Sequence, residues 1–322
     1  MTGAPKSILR AGAVALTLAL LTTPLAAAAA PLRVAAAPAV MEAGPLLYAA
    51  RQLGPDAVVV VPGGVANLFA PGDERVELAG NAETQGLRVS VEHPDLRIIQ
   101  TVVEGLYSVV ARRSAGIAAL KDLKGKRLGV TASTSAAYFA HKMLQRAGLG
   151  DTDVTLVSLA PNALPGALAD KTVDAIAIWE PQASQGEAML GQDVVVLPGA
   201  GVYREIYNLN TTAAALADPA RRARIVAYVK ALAAASKVCA DQPAKVWPLV
   251  AASSGFSEQT IASGWPHHRF GAALAKDLLD VMEDEERWLA PQARRAPRSR
   301  AELAGLTDAS VVQEALGKGG RP

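Results

Sequence analysis

The sequence has 322 residues, with 32 basic and 30 acidic side chains and a single cysteine, Cys239. A nearly balanced chain lacks the basic face of a nucleic-acid binder, and one cysteine excludes an internal disulfide or a cysteine metal cluster. The length exceeds what one compact core usually needs and suits two lobes.

Residues 1–29 read as an export signal. Lys6 and Arg10 give a basic start, Ala11 to Leu25 is apolar without charge, and Ala26 to Ala30 offers small-residue cleavage sites. The apolar run is shorter than the roughly 20 residues a membrane span needs, so an exported rather than integral membrane protein is expected. Strand and helix patterns then alternate: Leu32 to Ala36 as strand, Gly44 to Leu53 as helix, and the valines from Ala57 to Val61 as a buried strand. A weak strand at Val76 to Leu78 leads through Asn81 to Thr84 into a short helix. Leu96 to Val103 and Ser108 to Ala111 read as strands.

Leu128 to Thr131 is a strand that stops at three consecutive hydroxyl residues, Ser133, Thr134 and Ser135, before a helix over Ala136 to Ala147. Hydroxyls cap helix starts, and spare N–H groups there also cradle anions. Strands at Val154 to Ser158, Val173 to Trp179 and Asp193 to Leu197 follow, with a helix at Leu164 to Ala169. Such alternation predicts an α/β fold with largely parallel sheets. From Asp218-Pro219 the pattern is helical: one helix to Ala240, a second at Lys245 to Ala252, and a third bearing Leu274, Leu278, Val281, Met282 and Trp288. Glu283 to Glu286 reads as that helix's solvated face. The basic tail beyond Pro291 is expected to wrap loosely.

The segments DLKGKRLGVTASTSAAYF and ALPGALADKTVDAIAIWEPQAS carry a resemblance. Asp122 to Lys126, Thr134-Ser135 with Tyr138, and Val173-Asp174-Ala175 closed by Trp179-Glu180-Pro181 match in order and spacing. They resemble the periplasmic substrate-binding proteins of nitrate, taurine and alkanesulfonate uptake, relatives of the thiamine-precursor binding proteins. The match runs from about Val109 to Ser184 and thins over the rest. The first lobe departs from the pattern: Gln52 to Asp56 turns straight into the valines, and Asn67 to Arg75 is short.

The resemblance implies a two-lobed periplasmic-binding-protein fold of type II character, with a hinge of two crossings near Arg113 and Asn208 and a helical C-terminal part. The expected layout is a first lobe over 30–112 and 208–290, a second over 113–207, and a tail over 291–322. It implies an extracytoplasmic, monomeric receptor, without cofactor or catalysis, that passes a small anionic or zwitterionic solute, sulfonate- or taurine-like, to ABC importer permease subunits. An enzyme or a pyrimidine-precursor binder on the same fold is the alternative. No nucleotide, nucleophile-elbow or Cys–His motif occurs.

The expected ligand contacts come from strand ends: Gly44, Pro45, Asn81, Glu83, Thr84, Ser133, Thr134, Ser135, Tyr138, Trp179 and Glu180. Several have a second reading. Trp179 either faces the cleft or lids a core. Glu180 either meets a ligand amine or caps the next helix. Glu83 either meets an amine or is a first-turn acid favoured by the helix dipole. Trp265-Pro266-His267-His268-Arg269 has adjacent histidines that diverge, with only His93 and His141 elsewhere, so no metal site is expected.

Overall fold

The computed structural model describes residues 1–3 and 30–317. The export signal expected at 1–29 lies outside the described residues apart from its first three positions. From Pro31 onward the chain forms one compact unit.

The first half contains β1 (Leu32–Ala36), α1 (Ala43–Leu53), β2 (Val58–Pro62), β3 (Leu78–Ala82), α2 (Glu83–Val89), β4 (Leu96–Leu106) and β5 (Ser108–Arg112). The middle contains β6 (Arg127–Val130), α3 (Ser135–Arg146), β7 (Thr155–Ser158), α4 (Leu164–Ala169), β8 (Ala175–Ile178), α5 (Gln182–Leu190) and β9 (Val194–Pro198). After it come β10 (Arg204–Thr212), α6 (Ala213–Ala217), α7 (Pro219–Asp241), α8 (Trp247–Ser254), α9 (Glu258–Gly264) and β11 (His268–Phe270). The chain closes with α10 (Leu278–Gln292), α11 (Arg300–Ala304) and α12 (Ser310–Leu316).

Two sheets result. One has the order β11-β4-β10-β3-β1-β2, the other β7-β6-β8-β5-β9. Each sheet and its helices form a lobe. Parallel ladders join β1 to β2 and β3, and β6 to β7 and β8. The sheets are more mixed than the alternation predicts, because β10 and β11 pair antiparallel with β4, and β5 pairs antiparallel with both β8 and β9. β4 and β5 carry the chain into the second lobe and β9 and β10 carry it back, so in each sheet an outgoing and a returning strand lie side by side in opposite directions.

Three local expectations are corrected. The valine strand β2 is an edge strand with only Val58 fully buried, so its β-branched residues serve strand propensity more than core. The strands β10 and β11 fall where no strand was expected; β10 is almost wholly buried between β3 and β4. The crossings lie at Tyr107, between β4 and β5, and at residues 199–203, between β9 and β10, several residues before the positions expected. They touch: the Gly199 N–H donates to the Tyr107 carbonyl at 2.9 Å. A side chain at Gly199 would meet that carbonyl at 2.8 Å and the Phe139 ring at 2.5 Å, so the approach requires glycine.

The helical end is also tighter than the sequence suggests. Glu285 and Glu286 are fully buried, and only their neighbours Glu283 and Asp284 face outward. Arg295 and Arg298 of the tail grip Glu286, with Arg298 also donating to Leu87 O and Ser90 Oγ. The run fails as a solvated face because its partners are supplied by the basic tail, which folds back as a clamp. The cap expected at Asp218 holds, with its side chain accepting from the Ala220 and Arg221 N–H groups at the start of α7; in the tail, where no helix was expected, Ser299 with Glu302 forms a capping box on α11.

Candidate functional site

The carboxyl ends of β1, β3, β6 and β8 converge on the gap between the lobes, where open α/β sheets place ligands. The gap is closed by cross-lobe hydrogen bonds. Gln182 Nε2, held in its own lobe by Asn162 Oδ1 at 3.1 Å, donates across to Ala39 O at 3.3 Å, and Gln85 Nε2 donates to Ser133 O at 2.8 Å. His267 Nδ1 lies 2.7 Å from Glu180 Oε1, and Lys142 pairs with Asp284 at 3.6 Å.

Aromatic rings fill the middle. Tyr107 packs on Phe139, Trp179 and Tyr203 with centroid distances of 5.5, 5.8 and 5.6 Å. Tyr138 stands 5.3 Å from both Tyr203 and Trp288. Trp179 is buried, yet its indole N–H has no acceptor.

The three hydroxyls before α3 divide their work. Thr134 caps the helix, accepting from Ala136 N at 3.2 Å and donating to Thr131 O at 2.7 Å. Ser135 is buried and shares a 2.8 Å hydrogen bond with the Tyr107 hydroxyl. Ser133 is exposed and left-handed at φ 60°, a conformation rare outside glycine, asparagine and aspartate, and its carbonyl takes the Gln85 bond. A cavity of about 370 Å³ lies beside it, bordered by His141, Asp151 and Trp288.

Carboxylates dominate the first-lobe side. Glu83 accepts from the Tyr203 hydroxyl at 2.7 Å and from the Ile206 N–H at 2.9 Å. Glu285 accepts from Thr84 Oγ1 at 2.9 Å. Burial raises Glu83 to about 7 and, with the Glu83 charge, holds Glu285 well above the usual carboxylate range. Glu42 and Glu205 form a second buried group: a Cβ placed on Gly105 would lie 3.3 Å from an oxygen of each. Burial, then the Glu42 and Glu83 charges, hold Glu205 well above its ordinary value. Glu180 differs. Burial pushes it up, but the His267 hydrogen bond and the Ser184 N–H outweigh that and leave it below its ordinary value.

The match to the family described as "NMT1/THI5 like" spans residues 62–246, more than half of the chain. The chain belongs to the NMT1/THI5-like family. Candidate binding proteins of Brucella abortus and Brucella suis are 36% identical over 66 residues, which is 20% of this chain; the chain spans about a fifth (21%) of the length of these curated relatives. Among solved structures, the alkanesulfonate-binding protein SsuA of Xanthomonas axonopodis pv. citri, bound to MOPS, aligns over 88% of this chain and 99% of its own, with TM-score 0.70 and 20% identity. The periplasmic aliphatic sulphonate-binding protein SsuA of Escherichia coli aligns over 84% and 91%, at 0.69 and 19%. The desulfurization enzyme DszB, as a cysteine-to-serine mutant in complex with biphenyl-2-sulfinic acid, aligns over 89% and 98%, at 0.65 and 18%. The shared architecture is thus the two-lobed periplasmic-binding-protein fold, and it hosts both receptors and an enzyme.

This NMT1/THI5-like chain brings some anticipated residues to the gap and places others elsewhere. Trp179, Glu180, Ser135, Tyr138, Glu83 and Thr84 meet around the crossings. Both Glu83 oxygens are already bonded within its own lobe and the crossing. Asn81 Oδ1 accepts from the Ala82 N–H, and its amide lies against Gly64. Gly44 and Pro45 lie inside α1; a Cβ on Gly44 would meet Trp265, Val246 and Val250 at about 3 Å, a packing contact. Glu42, Tyr107, Tyr203 and Glu205 stand at the site without having been among the residues expected there. Two signals point that way: the alternation in Glu205-Ile206-Tyr207-Asn208-Leu209-Asn210, and an acid just before the Ala43 helix start. Among the described residues no group of three or more His, Cys, Asp or Glu side chains is arranged to hold a metal ion, and no helix is long and apolar enough to cross a membrane.

Proposed function

We propose that this chain is the solute-binding receptor of an ABC importer, working outside the cytoplasm as a monomer. It closes its lobes on a small organic solute, anionic or zwitterionic and of the sulfonate or taurine kind, and presents it to the permease subunits. The observation that carries this reading is mechanical. Two short crossings at Tyr107 and residues 199–203 join lobes whose facing surfaces meet through side-chain hydrogen bonds, the arrangement of a hinge that shuts over a ligand. The likeness to sulfonate-binding structures supports the solute class.

The DszB likeness keeps an enzyme as the second reading. The chemistry in the chain weighs against a thiol mechanism, because burial pushes the only thiol, Cys239 in α7, up to about 12, where it is not a thiolate. A thermal-unfolding screen with taurine, alkanesulfonates, nitrate and aminopyrimidines tests the proposal. A true solute at about a hundred times its dissociation constant adds roughly 2.7 kcal/mol of stability. The solute should be recovered chemically unchanged; recovery of a converted product would establish the enzyme reading instead.

A further inference from the structure

We propose that the chain carries a second binding site, a cavity between α3 and α10 that takes a small uncharged aromatic molecule bearing an O–H or N–H donor, of the phenol or indole class. It lies beside the gap that the receptor reading fills with solute, and it stands whether or not that reading does.

The cavity holds about 370 Å³. An apolar cavity of about 150 Å³ already admits benzene, so a molecule of one or two rings fits here. The floor is apolar. Val130 ends β6, Ala137 and Ala140 present the bare side of α3, and Leu156 extends from the edge strand β7. Trp288 of α10 forms a wall, half-buried, with its ring 6.1 Å from that of His141. Leu156 is 47% exposed, so a leucine and an indole stay wet together in one hollow. Covering that surface is the favourable term a ligand would gain.

The polar lining selects among apolar ligands. No lysine or arginine borders the cavity, so nothing there offsets an anion, and Asp151 would repel one. His141 is oriented by that carboxylate. Its Nδ1 lies 3.0 and 3.1 Å from the two Asp151 oxygens, so in the neutral ring the hydrogen sits on Nδ1. Nε2 is then an acceptor, and among the described residues no hydrogen bond reaches it. Gln292 donates an amide hydrogen to the Trp288 carbonyl at 2.9 Å, which leaves its own carbonyl oxygen to accept. Acceptors over an apolar floor call for a ligand with a donor on an apolar ring. The cavity is also set off from the gap. Tyr138 stands 5.3 Å from Trp288 and 5.3 Å from Tyr203 at the crossing, a row of rings between the two places. Of the residues expected to touch solute, only Ser133 borders the cavity.

Indole and phenol, set against cyclohexanol and benzenesulfonate, test this by titration calorimetry on the purified chain, each probe taken to its solubility limit. Indole and phenol should bind saturably at one site. Cyclohexanol keeps the donor without the flat ring, and benzenesulfonate keeps the ring with a charge in place of the donor. Both should bind at least about tenfold more weakly than phenol. Ala137→Leu fills the floor with a residue that helices accept, and it should weaken indole at least about tenfold. No saturable indole binding, benzenesulfonate binding as tightly as phenol, or an Ala137→Leu chain that binds indole like the wild type overturns the site. Should that variant fail to fold, the wild-type contrast among the four probes still decides. Taurine or methanesulfonate added first should leave indole binding unchanged; displacement of indole by either would put it in the gap and overturn a separate site. A chain that binds indole but neither sulfonate keeps this site and loses the sulfonate reading, and the opposite result does the reverse.

Discussion

Glu83 shows how one carboxyl can shape the stability of the molecule. Burial raises it from an ordinary 4.5 to about 7, against the pull of the Tyr203 and Ile206 hydrogen bonds. The folded state therefore holds a proton that the unfolded state releases. Where the native state binds more protons, stability falls as pH rises, here across the window from 4.5 to about 7. The loss attached to this one group is on the order of 3 kcal/mol. Asp174, held near 2 by Arg127, and Glu286, also near 2 because Arg295 and Arg298 outweigh its burial, act in the opposite sense and lose stability as acid protonates them. Thermal unfolding measured from pH 4 to 8 should thus show its maximum on the acid side of neutrality. Replacing Glu83 by Gln should flatten the decline between pH 5 and 7.5. A wild-type profile already flat in that range would show that Glu83 titrates normally.

At the level of elements, α10 and the tail after it form one unit. Glu286 lies on the buried face of α10, and the two guanidiniums that neutralise it come from the segment between α10 and α11. Arg298 also reaches the carbonyl of Leu87 and the hydroxyl of Ser90 at the end of α2. The clamp thus ties three elements around a single carboxylate. Arg298→Ala leaves Glu286 paired with Arg295 but removes a second guanidinium and its bonds to Leu87 and Ser90, so it should cost roughly 1.5–3 kcal/mol. Arg300→Ala, whose partners Asp280 and Glu283 are more exposed, should cost well under 1 kcal/mol. Urea unfolding of the two variants compares them directly, and equal losses would mean that the tail is not gripping α10. The same comparison explains why the acidic run misleads: helical spacing tells which residues share a face, but not what packs on that face.

For the molecule as a whole, the cross-lobe bonds describe a closed arrangement, and the pair of Glu180 with His267 adds charge to it. Glu180, at the mouth of the second lobe, holds the His267 ring above its ordinary value. A histidine raised by a partner contributes its attraction below its unfolded value and loses it as pH climbs through the folded one. Closure should therefore weaken in mildly alkaline solution, and His267→Ala should enlarge the solute-free radius of gyration at pH 6 while leaving the secondary structure intact. Small-angle scattering of both proteins at pH 6 and pH 8.5 reads this out. A radius that responds neither to the substitution nor to pH would place the control of closure in the side-chain hydrogen bonds of Gln85 and Gln182 and the Lys142–Asp284 pair.

Local features are legible in the chain's own pattern. The span of β1, the Thr134 cap with α3 behind it, and the Asp218-Pro219 start of α7 follow from periodicity and capping within a few residues, and the structure has them there. The motif order from Asp122 to Pro181 is enough to indicate the family and, through it, a two-lobed fold. Packing settles which polar groups are inside and what they touch. Thr84 meets Glu285 from 201 positions away, Glu83 reaches Tyr203 across 120, and His268 approaches Glu42 across 226. Strand β10 is a strand because β3 and β4 flank it, and the valines of β2 are half-exposed because nothing pairs beyond them. Spacing along a chain fixes the direction of a side chain relative to its neighbours. Burial, and with it the charge state of a glutamate, depends on the desolvation that distant segments impose when they pack over it.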